Sequence, residues 1–207
     1  MEHIILVLDF DDTIFQSKIF KKDLFDGIAE HLGVSLDVVQ QTYDEIKKDG
    51  YAIEPHVALI KKSSPDAQEE KLTPFLANLF SSLEKYLFDD VLSVLESLKQ
   101  KGVVMILLTY GAHDFQSQKV SGAGVVKFFE KIVITTDAKS AAVKELFRDT
   151  HRMVAVDNTI EHLDDIKKEI SAVETIAINR YGELQAVEAM SHHVIKDLHE
   201  LESYLFS

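Results

Sequence analysis

Three carboxylate side chains follow directly on a short apolar stretch near the start of the 207-residue chain. Residues 4–8 read Ile-Ile-Leu-Val-Leu, and Asp9, Asp11 and Asp12 occupy three of the next four positions. Such a run, rich in branched residues, is typical of a strand buried on both faces of a parallel sheet. Because ligands bind beyond the carboxyl ends of such strands, we expect chemistry at these acids. Close like charges persist best when a cation joins them, so the cluster predicts a site for Mg²⁺, which prefers oxygen ligands.

Two more side chains suited to a phosphate site lie near predicted strand ends. Thr109 ends the apolar stretch 103–108, where its hydroxyl group and free backbone N–H groups can hold a phosphate oxygen. Lys139 precedes a predicted helix, and a fixed cation there would neutralise phosphate charge and keep Asp9 ionised. Lys144, about one turn further along, is the alternative. Lys139 is preferred because the start of the helix is nearer to the carboxyl ends of the strands.

These residues belong to a regular alternation of strands and helices in the second part of the chain. Apolar residues with helical spacing separate strand-like stretches at 103–108, 132–134, 153–156, 173–178 and, more weakly, 193–195. Such alternation predicts a parallel sheet that is covered by helices on both faces. The predicted fold class is therefore α/β, with a doubly wound, Rossmann-like parallel sheet.

Residues 16–88 interrupt this alternation with stretches that have helical spacing almost throughout. Gly33 is well placed to end one of these helices, and Ser35 is well placed to begin the next. The predicted organisation is an α/β core formed by residues 1–15 and 89–207. A small α-helical cap domain at 16–88 is inserted after the first strand.

The composition narrows the range of partners and compartments. Lys and Arg total 22 against 35 Asp and Glu, which gives a formal charge of −13. Because no basic patch is visible, we do not expect a nucleic-acid-binding surface. The chain has no cysteine, which excludes disulfides and fits a reducing compartment, and no apolar run approaches the roughly 18 residues that a membrane span needs. We expect a cytoplasmic protein, monomeric or a small homo-oligomer, with a small phosphorylated substrate and without nucleic-acid or membrane partners.

Taken together, these stretches resemble four sequence motifs of the haloacid dehalogenase superfamily. The first motif is Asp-x-Asp-x-Thr after an apolar strand, here residues 9–13, with Asp12 where glycine is commonest in that family. Thr109 is similar to the second motif and Lys139 to the third. The fourth motif is an acidic residue at a strand end, here Asp157. The resemblance covers the core, and the helical insert agrees with it in placement and type.

The resemblance implies a Mg²⁺-dependent phosphatase that acts on a small phosphorylated metabolite through an aspartyl-phosphate. In that mechanism Asp9 attacks phosphorus, while Asp11 protonates the leaving oxygen and then accepts a proton from water. Mg²⁺ would be held by Asp9, by the backbone carbonyl of Asp11 and by Asp157. Thr109 and Lys139 would hold the phosphate.

The fourth motif leaves two alternatives open. The family usually has Gly-Asp or Asp-Asp at this point, with a second acid four residues later, whereas this chain has Asp157-Asn158. The metal ligand is either Asp157, with Glu161 as its partner, or Asn158, with His162 in the partner position. The second alternative would weaken the metal site.

Three other functions are compatible with parts of the pattern. A dehalogenase of the same superfamily would use Asp9 on carbon, but it would not need Asp11 as an acid-base group. A response-regulator receiver also combines acids, threonine and lysine around Mg²⁺, but its acids follow a different strand order and it has no helical insert after the first strand. A catalytically weak binding or signalling protein is compatible with Asn158 in the fourth motif.

Overall fold

The structure is a computed structural model, and it describes residues 3–47, 50–67, 70–149, 151–183 and 192–207. Within these ranges the strands are β1 (Ile4–Leu8), β2 (Val104–Tyr110), β3 (Lys131–Thr135), β4 (Arg152–Asp157), β5 (Glu174–Ile178) and β6 (His193–Ile195). The helices are α1 (Ser17–Leu32), α2 (Leu36–Ile46), α3 (Ile53–Ser63), α4 (Leu72–Phe80), α5 (Val91–Gln100), α6 (His113–Gly122), α7 (Lys139–Leu146), α8 (Ile160–Glu169) and α9 (Leu198–Leu205). None of these helices is long and apolar enough to cross a membrane.

The six strands form one parallel sheet in the order β3-β2-β1-β4-β5-β6. β1 is central, because Leu8 pairs with Leu107 of β2 on one side and with Val156 of β4 on the other. The chain therefore builds the sheet outward from β1 in both directions, and the predicted doubly wound α/β fold class is confirmed. The strand order reverses between β1 and β4, and the crevice at such a reversal is where sheets of this kind bind ligands.

Successive residues of β1 are buried on opposite faces of the sheet. Leu6 and Leu8 belong to one apolar cluster, and Val7 between them belongs to the other. Alternate residues of β2 and β4 divide between the two clusters in the same way. The prediction that the apolar stretch at 4–8 is a strand buried on both faces is therefore confirmed, and it explains why polar side chains begin only where this strand ends.

The described residues between β1 and α5 are helical for most of their length, as predicted, and contain α1 to α4 and a 3₁₀ turn at Glu84–Tyr86. Ser35 accepts a hydrogen bond from Val38 N at the start of α2, and Gly33 ends α1 with a left-handed backbone (φ 69°), so both helix boundaries are confirmed. Buried side chains of this helical insert join the same apolar cluster as one face of the sheet. The division into a core and a cap domain at 16–88 stays a prediction.

The entry and the exit of the helical insert are paired with each other. Phe15 forms an isolated antiparallel bridge with Leu87. Gln16 N donates to Tyr86 O over 2.7 Å, and the Gln16 side chain donates to Leu87 O over 2.9 Å. The two crossings between sheet and insert therefore lie side by side, and they place the start of α1 next to the loop after β1.

Candidate active site

The loop after β1 and the end of β4 bring two buried carboxylates to one lysine. Asp9 follows β1 directly, Asp157 is the last residue of β4, and Lys139 is the first residue of α7. Lys139 Nζ lies 2.5 Å from Asp9 Oδ1 and 2.7 Å from Asp157 Oδ2, and all three side chains are nearly inaccessible to solvent. Lys144 is exposed and pairs with Glu169 over 3.2 Å. Of the two candidate lysines, the geometry therefore favours Lys139.

Asp9 is the member of this group that titrates near neutral pH. Burial raises the pKa of Asp9 to about 7, and the Asp157 and Asp11 carboxylates act in the same direction, while the Lys139 ammonium opposes them. Burial also acts to raise the pKa of Asp157, but hydrogen bonding to His162 and the charge of Lys139 outweigh it and hold that pKa below its usual range. Burial disfavours the Lys139 ammonium, yet the two carboxylates hold its pKa above the ordinary value.

The loop after β1 also holds Asp9 in place. Thr13 is fully buried, and its Oγ1 donates to Asp9 Oδ2 over 3.0 Å. Asp12 has a φ of 55°, in the left-handed region that glycine enters without steric cost. This backbone conformation gives a physical reason why glycine is common at this position of the motif.

Asp11 belongs to a second polar cluster. Ser17 Oγ and Lys119 Nζ both contact Asp11 Oδ1, and Gln116 Nε2 donates to Asp11 Oδ2 over 2.7 Å. Burial acts to raise the pKa of Asp11, but the Lys119 ammonium and the hydrogen bonds from Lys119, Ser17 and Gln116 hold that pKa below its ordinary value. Asp11 is therefore a carboxylate fixed by three side chains and ionised at neutral pH.

Lys119 and Gln116 were not among the predicted site residues. Both lie on α6, and each side chain is buried although it is polar. The Lys119 ammonium lies 5.4–5.9 Å from the centroids of four rings, those of Phe10, Phe15, Phe20 and Phe115. Gln116 and Lys119 are three residues apart, which indicates that they share a face of the helix. Because α6 is polar along most of its length, however, the sequence does not show which face is buried.

Thr109 is buried in β2 and contacts Gln116 rather than a carboxylate. Gln116 Nε2 donates to Tyr110 O over 2.7 Å and lies 3.1 Å from Thr109 Oγ1. The free backbone N–H groups expected beside Thr109 are not all free, because Gly111 N donates to Thr135 O over 2.9 Å. The role of Thr109 in holding phosphate stays a prediction.

Asp157 pairs with His162, which neither alternative for the fourth motif predicts. His162 Nδ1 lies 3.1 Å from Asp157 Oδ2, and Thr159 N donates to Asp157 Oδ1 over 2.8 Å. Glu161 is exposed on the first turn of α8, and Asn158 is only partly buried. The contact with His162 does not decide between the two alternatives, because both concern groups around a metal ion and not hydrogen bonds between side chains. The position of Asp157 beside Asp9 and Lys139 favours it over Asn158 as a metal ligand.

The donor set fits a minimal site for a divalent cation. In the part of the chain that the structure describes, no group of three or more His, Cys, Asp or Glu residues is arranged to hold a metal ion. Asp9 and Asp157 nevertheless meet in one buried place, and with Lys139 they leave one negative charge unbalanced when Asp9 is ionised. Mg²⁺ is usually bound by one or two carboxylates and keeps several water ligands, so two carboxylates and the Asp11 carbonyl have suitable chemistry.

The fold and the order of these polar residues agree with one protein family. The family model of the haloacid dehalogenase-like hydrolases matches residues 6–145. The chain belongs to this family, and the resemblance seen in the sequence motifs is confirmed. A comparison with curated proteins gives no match.

Solved structures with the same fold align with almost the whole chain. A provisionally assigned haloacid dehalogenase-like hydrolase from Burkholderia xenovorans LB400 covers 100% of both chains, with a TM-score of 0.77 and 16% identity. YfnB from Bacillus subtilis, a provisionally assigned hydrolase of the family bound to magnesium, covers 99% of both chains (TM-score 0.67, 17% identity). A provisionally assigned phosphatase from Clostridium difficile also covers 99% of both (TM-score 0.68, 14% identity). At these identities the similarity shows the fold alone.

Proposed function

We propose that this hydrolase is a Mg²⁺-dependent phosphomonoesterase that acts on a small phosphorylated metabolite through an aspartyl-phosphate on Asp9. The observation that carries the proposal is the fixed orientation of Asp11, two residues after Asp9, by Ser17, Gln116 and Lys119. An alcohol leaving group needs a proton from an acid, and the activation of water needs a base. A carboxyl group at this point can serve in both steps. A halide leaves carbon without a proton, so a dehalogenase has no use for an acid at this position.

Asp9 is the nucleophile in the proposed reaction. One of its oxygens attacks phosphorus, the bond between phosphorus and the leaving oxygen breaks, and an aspartyl-phosphate results. Lys139 pairs with Asp9 and so favours its ionised, nucleophilic form against the effect of burial. Lys139 and Thr109 are assigned to the oxygens of the phosphate, and Thr13 keeps the Asp9 carboxylate in one orientation.

Asp11 moves the protons in both halves of the reaction. Because Asp11 is ionised at neutral pH in the free protein, it must take up a proton from solvent before it donates one to the leaving oxygen. The resulting carboxylate then accepts a proton from the water that attacks the aspartyl-phosphate. Lys119 and Gln116 stabilise the carboxylate, which is the form that the second half requires. The first half is therefore expected to be the more demanding one for leaving groups that depend on protonation.

The side chains of Asp9 and Asp157 and the backbone carbonyl of Asp11 are the groups that would hold Mg²⁺. When bound, the ion supplies positive charge that offsets the negative charge of the transferring phosphoryl group. The magnesium reported for the structurally similar YfnB supports the choice of Mg²⁺ as the cation.

Phosphate release and halide release, measured side by side, test the proposed function. We expect inorganic phosphate from a panel of phosphorylated metabolites and aryl phosphates in the presence of Mg²⁺, and loss of this activity in EDTA. No halide is expected from 2-haloacids. Halide release without phosphate release would instead support a dehalogenase, an activity named for another protein of this fold. Failure of both reactions would favour a binding role.

Asp157→Ala is expected to weaken Mg²⁺ binding by roughly tenfold or more, because the variant lacks one of two carboxylates in the site. Asn158→Ala is the matched control, since it truncates the neighbouring side chain and should keep the affinity of the wild type. Calorimetric titration of both variants with Mg²⁺ makes the comparison, after circular dichroism has shown that they are folded. Loss of affinity in Asn158→Ala with wild-type affinity in Asp157→Ala would make Asn158 the ligand.

A further inference from the structure

A cavity of about 280 Å³ extends from Asp11 into the helical insert. An apolar cavity of roughly 150 Å³ holds one benzene ring. The cavity beside Asp11 therefore has room for one ring with a short substituent.

The exposed walls of the cavity are mostly apolar, and aromatic residues of both the insert and α6 contribute to them. The rings of Tyr51 and Phe115 have centroids 4.7 Å apart at 80°, and those of Phe25 and Tyr43 have centroids 5.0 Å apart at 65°. In both pairs the rings meet edge to face, and such rings also pack favourably against a further planar group. The Tyr51 hydroxyl group contacts His56 Nδ1 over 3.0 Å, so it already has a partner within the insert. This lining suits a flat, apolar group better than a polyhydroxylated one.

Lys21 lines the same cavity and forms no ion pair with any residue that the structure describes. Its ammonium lies 3.9 Å from the centroid of Tyr43 and 5.1 Å from that of Phe25. Asp44, whose charge acts on Lys21, already binds Lys47 over 2.6 Å. Burial lowers the pKa of Lys21, so an additional anion would stabilise its charged form.

The charges around Tyr43 therefore favour an anion. Lys21 and Lys47 both line the cavity and carry two positive charges, against the single negative charge of Asp44. A neutral ligand would leave Lys21 partly desolvated and without a counter-ion. A carboxylate on the ligand would form a charge-assisted contact with the partly buried Lys21 ammonium.

We propose that this cavity binds the leaving group of the substrate, and that this group is a single aromatic ring carrying a carboxylate. The ring lies between the aromatic walls, and the carboxylate pairs with Lys21. The inference rests on the proposed phosphatase function, because Asp11, which also lines the cavity, is the group assigned to the leaving oxygen.

Two isosteric substrates test the proposal: 4-(carboxymethyl)phenyl phosphate and its neutral amide, 4-(carbamoylmethyl)phenyl phosphate. The methylene group separates the carboxylate charge from the reacting oxygen, so the two substrates differ mainly at the end of the molecule far from the phosphate. We expect kcat/KM to be at least tenfold higher for the carboxylate, in keeping with a hydrogen-bonded charge pair. The ratio should fall toward one in Lys21→Met. It should be kept in Lys22→Met, the matched control, because Lys22 is exposed and pairs with Asp26.

Binding of the two phenol products measures the same preference without catalysis. Calorimetry should show 4-hydroxyphenylacetate binding at least tenfold more tightly than 4-hydroxyphenylacetamide, and Lys21→Met should abolish the difference. If both substrates release phosphate at equal rates and both products bind equally, this inference is wrong and the proposed phosphatase function stands. If 4-hydroxyphenylacetate binds more tightly but no substrate releases phosphate, the preference of the cavity for a carboxylate is supported and the proposed phosphatase function is wrong. Absence of measurable binding by both products would also overturn the inference.

Discussion

Asp9→Asn is expected to lower phosphatase activity by about 10⁴-fold or more while the protein remains folded. The amide has nearly the same shape as the carboxylate, and its oxygen can still accept a hydrogen bond from Lys139. It is a poor nucleophile, however, so no aspartyl-phosphate can form at a useful rate. Steady-state phosphate release by the purified variant, with its mass verified, makes the measurement. Turnover at the wild-type rate would exclude the covalent mechanism.

The same variant is expected to change how stability depends on pH. The pKa of Asp9 is raised from 3.8 to about 7, so the folded chain holds the proton more tightly than the unfolded chain does. The resulting contribution to the free energy of unfolding is complete at low pH and is lost as the pH rises toward 7. Asp9→Asn removes this loss, so the variant should gain stability relative to the wild type as the pH rises from 3.8 to about 7, and it should keep that gain at higher pH.

Urea unfolding in EDTA at these pH values tests the stability effect in the absence of a divalent cation. Asp37→Asn is the control, because Asp37 is an exposed carboxylate on the first turn of α2. We expect no change in the pH dependence for this control. A constant difference between Asp9→Asn and the wild type at all pH values would contradict a raised pKa for Asp9.

Asp11→Asn is expected to slow hydrolysis of alkyl phosphates by about 100-fold or more, the usual range for the loss of a general acid-base group. The loss should be smaller for 4-nitrophenyl phosphate, because its leaving group departs without full protonation. The dependence of kcat/KM on the leaving group is therefore the measurement that separates proton transfer from a structural effect. Equal losses for both kinds of substrate would show that Asp11 does not protonate the leaving oxygen.

Asp12→Asn is the matched control for Asp11. Asp12 is the next residue in the loop, and its carboxylate accepts hydrogen bonds from Lys18 N and from the Tyr181 hydroxyl group over 3.1 Å. Asparagine also tolerates the left-handed backbone of this position. We expect activity close to that of the wild type, so a large loss here would point to disruption of the whole loop.

The sequence predicts the parts of the site that depend on strands. An apolar stretch reveals a buried strand, and parallel strands bring their carboxyl ends to one edge. Asp9 and Asp157 could for this reason be expected near each other before the strand order was known. Lys139 could be preferred to Lys144 by the same argument, since it lies at the start of α7.

The residues that the sequence did not predict lie on helices and depend on packing. Gln116 and Lys119 reach Asp11 only because one face of α6 turns toward the loop after β1, and no apolar stripe on that helix indicates the face. His162 was considered only as a partner of Asn158, and its contact with Asp157 depends on the angle at which α8 leaves β4. Periodicity identifies an element, but the direction of a polar side chain is decided by tertiary contacts.

The central position of β1 has a consequence for how the chain folds. Leu8 pairs with Leu107 and Val156, which follow it by about 100 and about 150 residues, so the middle of the sheet closes only after most of the chain has been synthesised. The helices between β1 and β2 contact one another over short sequence separations and can form earlier. We therefore expect a longer delay between synthesis and complete pairing for β1 than for β2 to β6, whose neighbours lie before them or nearer in the chain. Its five apolar residues are then a segment that is exposed to aggregation during synthesis.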